Sequence, residues 1–262
     1  LMGGAAAGAL AGWARLSPGQ RKLLLACGGG AGLAAVYNVP LGGALFTAEI
    51  MMGTITLPVA LPALACSGIA TVTAWLYLPR HATYLGVPAY QFTAPLLVWA
   101  LVAGPLIGLV ASGYIRLIGW VTHHAATGRA AVIAPVGAFG ILGLAGFAYP
   151  QLFGNGKDMA DSAFLGAGGL GLLLGLAALK PLFTALCLGS GASGGLFTPT
   201  LSTGAVLGAA MQAPLTALAL MLELTGGGFP VMIPMLAATV TATVVARYVD
   251  GYSIYTARLR AR

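Results

Sequence analysis

The segment from Gly189 to Pro199, GSGASGGLFTP, has the residue types and order expected of a backbone anion site. Small residues let the chain turn sharply, and Pro199 suits the first turn of a helix, where its missing N–H costs nothing. The N–H groups of Gly195, Leu196 and Phe197 then point at one spot, at the positive end of a helix dipole. Such a site needs no full positive charge, so it holds an anion weakly enough for a transported ion to leave.

Three other interpretations of this loop compete with the anion site. Gly189, Gly191 and Gly194 match the G-x-G-x-x-G pattern of a dinucleotide site, but no acidic residue follows about 20 positions later to bind a ribose. A phosphate loop of the Walker type would need a Gly-Lys-Ser/Thr ending, which this segment lacks. A flexible turn between two membrane spans is the purely structural alternative.

Two acidic residues close a repeated pattern elsewhere in the chain. The segments 38–41 (NVPL) and 212–215 (QAPL) lead, at the same spacing, to Glu49 and Glu223. Corresponding Pro-interrupted segments in two halves are typical of a duplicated transporter core. An ionisable group at membrane depth is a functional candidate. The structural alternative is that each glutamate reaches an aqueous face or accepts hydrogen bonds from backbone N–H groups.

The elements that position these residues must be membrane helices. Hydrophobic residues make up 59% of the chain and charged residues 6%, whereas a soluble domain carries about 25% charged residues. The stretches free of Asp, Glu, Lys and Arg are 23–48, 50–79, 81–115, 130–156, 181–222 and 224–246. Each is longer than the roughly 20 residues that a helix needs to cross the hydrocarbon core. A transmembrane β-barrel would instead show alternating segments of about 10 residues.

Glycine and proline predict how these helices pack and where they break. Pairs of glycines four apart, which let helix backbones approach closely in lipid, occur at 28/32, 104/108, 171/175 and 204/208. We expect the apolar runs to break at Pro40, Pro58, Pro62, Pro181, Pro199, Pro214 and Pro230. Residues 181–222 are therefore predicted to form several short or broken helices. Broken helices at membrane depth are tolerated where their backbone lines a cavity or a ligand site.

The remaining charged and sulfur-containing residues indicate topology rather than chemistry. The net charge of +7 is scattered, which argues against nucleic acid as a partner. Basic residues gather at 15–22 and 258–262, and the positive-inside rule places both groups, and so the C-terminus, in the cytoplasm. Cys27, Cys66 and Cys187 lie far apart along the chain without metal-ligand spacing. We therefore expect no metal site, no disulfide and no cofactor. Residues 155–161 have the composition of a solvated loop.

Three segments together resemble one family. Residues 189–208 (GSGASGGLFTPTLSTGAVLG) are similar to the G-x-F-x-P signature of the CLC family of chloride channels and proton-coupled chloride exchangers. Residues 37–50 resemble the segment that follows that family's gating motif, and 211–236 with 251–259 resemble its end. The three segments occur in the family's order, while 54–153 matches in hydropathy alone.

The resemblance implies a fold, a set of site residues and a partner. The fold would be a bundle of tilted and broken helices in two inverted-repeat halves, forming one transmembrane anion-transport domain over 1–262 and a homodimer in the cell membrane. Two backbone amides of the signature loop, here those of Leu196 and Phe197, would hold chloride or a similar small anion. Tyr255 stands where the family has a tyrosine whose hydroxyl donates to the same anion. On sequence alone, Tyr255 fits an interfacial aromatic belt equally well.

The departures from the family's pattern bear on mechanism. The loop that supplies the family's gating glutamate would lie before Leu1, and the sequence skips a further helix that the family has between the positions of Gly204 and Met211. In many exchangers of the family, an internal glutamate passes protons at a position that is Ile50 here. Isoleucine cannot bind a proton, so this change favours an uncoupled pathway unless the neighbouring Glu49 provides the proton pathway.

The sequence therefore predicts a partial anion-transport domain, acting as a channel or as an exchanger. A membrane-embedded enzyme that uses the glycine loop at 189–194 is the alternative from another class, although no histidine has a partner carboxylate at catalytic spacing. A non-transporting fragment is the third candidate. We expect no enzymatic activity.

Overall fold

The computed structural model describes residues 2–87, 91–154, 156–166, 169–192, 206–227, 230 and 232–257. Within these ranges all regular secondary structure is helical, which confirms the all-α prediction. The α-helices are α1 (Met2–Trp13), α2 (Pro18–Tyr37), α3 (Pro40–Leu45), α4 (Leu57–Ala74), α5 (Ala94–His123), α6 (Ala130–Ala148), α7 (Lys157–Phe164), α8 (Leu170–Gly189), α9 (Val206–Met211), α10 (Pro214–Thr225), α11 (Met232–Asp250) and α12 (Ile254–Ala257). A π-helix, Phe46–Met52, continues α3, and a 3-10 turn, Pro150–Leu152, follows α6.

Five helical segments in the described part of the chain are long and apolar enough to cross a membrane. They are Leu57–Ala74, Ala94–His123, Ala130–Ala148, Gly171–Gly189 and Met232–Ala257. Two shorter apolar segments, Pro40–Met52 and Pro214–Thr225, are the two copies of the repeat found in the sequence. The chain is therefore a multi-pass membrane protein, as predicted.

Prolines and polar caps set the helix starts that matter most for the site. Pro18, Pro40 and Pro214 each stand in the first turn of a helix, where no backbone N–H is required. At the start of α2, Ser17 and Gln20 also form a reciprocal capping box.

Two of the predicted breaks are wrong. Pro62 lies inside α4 and Pro181 lies inside α8, and both helices continue past them. Transmembrane helices tolerate an internal proline because neighbouring groups satisfy the carbonyl that it leaves without a donor. The predicted break at Pro199 and the glycine pair that begins at Gly204 fall outside the described residues.

The chain divides into two compact units. One contains residues 1–93 and 213–236, and the other contains 94–212 and 237–262. In the first unit, α2 packs against α1, α3 and α4. A Cβ at Gly28 would lie within 3.0 Å of the Gly3 carbonyl carbon and 2.7 Å of the Ala7 Cβ, so only glycine lets α1 and α2 approach so closely.

In the second unit, α5 packs against α8, α9 and α12. A Cβ at Gly104 or Gly108 would meet the carbonyl oxygen of Ala238 or Ala242 at 2.8 and 2.5 Å, so this glycine pair presses against α11 as predicted. Gly171 and Gly175 differ, because no atom lies within 4 Å of a Cβ built on either residue. The prediction that they mark a close helix contact is wrong within the described residues.

Cys27 and Cys66, far apart in sequence, lie side by side between α2 and α4, where both thiols are free. Helix packing brings these two apolar runs together, and their sequence carries no sign of this contact.

One further expectation needs correction. Residues Lys157–Phe164 form α7 rather than a loop, and Met159 and Ala160 on one face of that helix are buried.

Candidate functional site

The loop predicted to bind an anion begins at the end of α8. Gly195, Leu196 and Phe197 lie outside the described residues, but the entry to the loop is described up to Ala192. The Ala126 N–H donates to the Gly189 carbonyl at 2.9 Å and so fixes the end of α8. Gly191 has φ of 87° and a Cβ there would lie 2.9 Å from the Ala126 carbonyl oxygen. Glycine is therefore required at this position.

Tyr255 lies in α12, a single turn whose start is fixed by a local cap. The Thr256 N–H donates to the Ser253 hydroxyl at 3.4 Å, and the Ser253 N–H donates to the Thr256 hydroxyl at 2.9 Å. Ile254 and Ala257 on either side are buried, and Tyr255 itself is half-buried against the same core. Tyr255 is thus held by packing rather than exposed as an interfacial aromatic, unlike Tyr248, which is 92% exposed.

One buried apolar cluster connects the entry of the loop to Tyr255. Ile115 and Ile118 of α5 are fully buried in it, and Leu188 of α8 and Ile254 of α12 pack in the same cluster. Tyr255 packs against this cluster. The end of α8 and the helix of Tyr255 are more than sixty residues apart in the sequence, and the structure brings both onto one core.

An ion pair holds the turn that precedes Tyr255. The Arg116 Nε of α5 donates to the Asp250 Oδ1 at 2.7 Å, and the Asp250 side chain is only 3% exposed. Asp250 ends α11, immediately before the turn into α12. Arg247 in the last turn of α11 donates to the Gln212 carbonyl at 3.0 Å. Arg116 and Asp250 could not be recognised as a pair from the sequence, because pairing between residues 134 apart has no local signal.

Glu49 lies in the π-helix that continues α3. Its Oε2 accepts the N–H of Thr216 at 2.7 Å and the hydroxyl of Thr216 at 2.6 Å. Thr216 is in the first turn of α10, where backbone N–H groups have no partner within the helix. The carboxylate therefore caps α10, which is the structural alternative that the sequence left open.

Glu223 caps α3, the helix that begins the other copy of the repeat. Its Oε1 accepts the Leu41 N–H at 2.9 Å, and its Oε2 accepts the Gly42 N–H at 2.6 Å. Leu41 and Gly42 are in the first turn of α3. A Cβ at Gly42 would lie 2.9 Å from the Leu220 Cγ and 3.2 Å from the Glu223 Oε2, so glycine lets the carboxylate reach the backbone.

Lys180 is a buried cation that sequence reasoning missed. It lies in the apolar helix α8 and is only 3% exposed. Its Nζ donates to the carbonyl oxygens of Leu152 and Gly154 at 2.8 and 2.9 Å, in the segment after α6. The available signal was a single lysine in the middle of an otherwise uncharged helix, because ionisable groups at membrane depth are rare and mark positions of importance.

Replacing Lys180 with methionine is expected to loosen the 3-10 turn at 150–152. Both hydrogen bonds disappear, and each is worth about 1 kcal/mol or more when the donor is charged. The global unfolding free energy should change less, because the variant also loses the desolvation cost of a buried ammonium. Phe153, which is 47% exposed, is a chymotrypsin site, and its cleavage rate should rise about tenfold because cleavage follows the population of the open loop.

The exposed Lys157 provides the control, because Lys157→Met removes a lysine charge nearby while Lys180 keeps its hydrogen bonds to the Leu152 and Gly154 carbonyls. Equal cleavage rates for both variants would show that Lys180 does not secure the turn.

Comparison with known proteins shows what the chain resembles. A family model described as "Voltage gated chloride channel" matches residues 1–211 and, in a second part, 204–247. Together the two parts cover most of the chain, including the glycine loop and both copies of the repeat, although Tyr255 lies beyond them.

Individual relatives agree with the family model. The "H(+)/Cl(-) exchange transporter ClcA" of Yersinia pestis bv. Antiqua (strain Angola) is 29% identical over 282 residues, covering 93% of this chain and 59% of the relative. The transporter of the same name from Yersinia pseudotuberculosis serotype O:3 (strain YPIII) matches equally well. The chain thus spans 59% of the length of these curated relatives.

Solved structures establish the fold. A slow cyanobacterial Cl⁻/H⁺ antiporter superposes with a TM-score of 0.88 at 24% identity, covering 99% of this chain and 69% of that one. A CLC-type fluoride/proton antiporter superposes with a TM-score of 0.77 at 22% identity, covering 98% of this chain and 70% of that one. The predicted fold class is confirmed.

Two features of these matches bear on the predicted gap between Gly204 and Met211. The family model matches in two parts that overlap over residues 204–211, and the 282-residue alignment to the relative is longer than this 262-residue chain. Both are expected if the chain lacks a segment there. In the structure, α9 ends at Met211 and α10 begins at Pro214.

Proposed function

Because the chain belongs to the voltage-gated chloride channel family, we propose that it moves chloride or a similar small anion across a membrane. The observation that carries this proposal is the convergence of the α8 end, where the glycine loop begins, with the helix of Tyr255 on one buried cluster. That convergence supports a shared site for the loop amides and the tyrosine hydroxyl. The relatives, which the chain spans only in part, bear the names of exchange transporters.

The proposed anion site consists of N–H and O–H donors. The backbone amides of Gly195, Leu196 and Phe197 and the hydroxyl of Tyr255 would replace part of the hydration shell of the ion. Donors without a full charge stabilise an anion enough for it to enter and leave it free to dissociate, as conduction requires. The described entry of the loop supports this arrangement, because Gly191 and the Gly189 carbonyl are fixed by the backbone around Ala126.

We propose that transport is uncoupled from protons. Ile50 cannot carry a proton, and the neighbouring Glu49 already accepts two hydrogen bonds from Thr216. These two bonds hold the carboxylate at the first turn of α10, in a structural role that requires no proton transfer. Should the chain couple protons, Glu49 is the residue that we would assign to the proton pathway.

We further propose a homodimer with a cytoplasmic C-terminus. Basic residues at 15–22 and 258–262 support this orientation through the positive-inside rule. The homodimer is proposed from the resemblance to the family alone.

An enzyme that uses the glycine loop at 189–194 is not supported. The loop leads out of the membrane helix α8 rather than from a strand of a βαβ unit, which a dinucleotide site requires. The relatives and solved structures described above bear the names of transporters and antiporters. The remaining alternative is a non-transporting membrane fragment.

Chloride efflux from liposomes tests the proposal. We expect vesicles that contain the purified chain to release chloride faster than empty vesicles once a potassium ionophore removes the electrical barrier. Release should fall to the empty-vesicle rate in Phe197→Pro, which removes one amide donor of the loop. A properly folded wild-type protein that gives no release above empty vesicles would establish the non-transporting alternative.

The same vesicles test coupling when a pH gradient is imposed at equal chloride concentrations. An uncoupled pathway gives a reversal potential that does not change with pH. A reversal potential that shifts with pH, and stops shifting in Glu49→Gln, would instead assign the proton pathway to Glu49.

A further inference from the structure

The two copies of the repeat share their backbone geometry as well as their sequence. Asn38 and Gln212 both adopt the left-handed conformation, with φ of 56° and 55°, which few residues other than glycine accept. The residues that follow them, Val39 and Ala213, have φ of −130° in both cases and ψ of 70° and 76°. Each copy therefore makes the same sharp entry into a helix that begins with proline.

Each copy of the repeat also caps the first turn of the other copy's helix. Glu49, nine residues after Pro40, caps the helix that begins at Pro214, and Glu223, nine residues after Pro214, caps the helix that begins at Pro40. The first N–H groups of a helix have no acceptor within that helix. Each carboxylate supplies the missing acceptor oxygens to the helix of the other copy. The two caps are reciprocal, and their hydrogen bonds join residues that are 167 to 182 positions apart in the sequence.

We infer that Glu49 and Glu223 are positioning residues that fasten α3 and α10 to each other through these reciprocal caps. In this role Glu49 acts through hydrogen bonds to Thr216, and no proton has to be bound or released. The inference does not depend on anion transport, because its consequences appear in the exchange of individual backbone amides.

The two caps differ in one chemical detail, and that difference makes the inference testable. Glu49 uses a single oxygen, Oε2, for both donors of Thr216. A glutamine amide oxygen can take that place and keep both bonds. Glu223 uses both oxygens, one for Leu41 and one for Gly42. A glutamine there must turn its NH₂ group toward one of two N–H donors, so one bond is lost.

Site-resolved hydrogen–deuterium exchange of the protein in lipid nanodiscs tests the inference. We expect Glu49→Ala to speed exchange of the Thr216 amide at least tenfold and Glu49→Gln to restore it to near the wild-type rate. Glu223→Ala should speed exchange at both Leu41 and Gly42, whereas Glu223→Gln should speed exchange at only one of them. Ser162 and Thr184, whose hydroxyls donate within their own helices, provide unaffected reference positions when these variants are compared.

Three outcomes would overturn the inference. The first is unchanged exchange at Thr216 in Glu49→Ala, since the cap would then protect nothing. The second is equal exchange in Glu49→Gln and Glu49→Ala, since charge rather than the acceptor oxygen would then be what matters at Glu49. The third is faster exchange across all helices in every variant, which would reflect general unfolding rather than a local cap. Chloride flux enters none of these readouts, so a failure here is distinct from a failure of the proposed function.

Discussion

Alanine in place of Gly30 is expected to lower the unfolding free energy of the protein by roughly 3 kcal/mol or more. Gly30 is buried in α2, and a Cβ there would overlap the Thr47 hydroxyl and the carbonyl of Gly43. The Gly43 carbonyl is part of the helical backbone and cannot move aside as a flexible side chain does. Separating the helices would also break the hydrogen bonds from the fully buried Thr47 hydroxyl to the carbonyls of Gly43 and Ala26, at 3.1 and 3.3 Å.

Thermal unfolding in detergent measures this effect, with Gly19→Ala as the matched control. Gly19 lies in the same helix, and no atom is within 4 Å of a Cβ at that position. Alanine there should be neutral or slightly stabilising because it favours the helix. If both variants melt at the same temperature, α2 and α3 are not in the close contact that the structure describes.

The membrane architecture could be predicted from sequence because its causes are local. The near absence of charge over long stretches requires helices that satisfy their own backbone, and the structure contains them. Proline in the first turn of α3 and of α10 correctly marked the two shorter helices of the repeat. Pro62 and Pro181 show the limit of that signal, because the same residue type inside a long membrane helix does not end it.

The partners of the charged residues could not be predicted, because they depend on packing between distant segments. The repeat predicted that Glu49 and Glu223 are equivalent, but not that each would cap the copy containing the other. Lys180 was overlooked since its acceptors are carbonyl oxygens, which leave no trace in residue types. Asp250 carries a charge that is readable in sequence, yet its partner Arg116 lies 134 residues away.

The glycine pairs show the same division between local and distant causes. Four-residue spacing identifies a helix face that permits close approach, and at Gly104 and Gly108 that face meets α11. Gly171 and Gly175 have the same spacing, but among the described residues no atom lies within 4 Å of a Cβ built on either glycine. Spacing therefore indicates where a contact is permitted, and the position of a second helix decides whether the contact exists.

Tyr255→Ala is expected to weaken bromide binding by roughly 100-fold, if the tyrosine hydroxyl and the loop amides share one anion. A hydrogen bond to a charged partner contributes about 1.5–3 kcal/mol, and each 1.4 kcal/mol corresponds to a tenfold change in affinity. Alanine also removes the ring that packs on the core beside Ile254 and would admit water next to the ion. Titration calorimetry with bromide on the protein in detergent measures the dissociation constant directly.

Two further variants separate the contribution of the Tyr255 hydroxyl from that of its ring and test whether Tyr255 belongs to the anion site. Tyr255→Phe keeps the ring and loses only the hydroxyl, so its affinity should fall between those of the wild type and Tyr255→Ala. Tyr248→Ala removes a tyrosine from the neighbouring helix that is 92% exposed, and it should leave the affinity unchanged. If Tyr255→Ala binds bromide as tightly as Tyr248→Ala does, the hydroxyl does not contact the ion. The buried cluster would then position Tyr255 for packing alone, and the anion would depend on the loop amides.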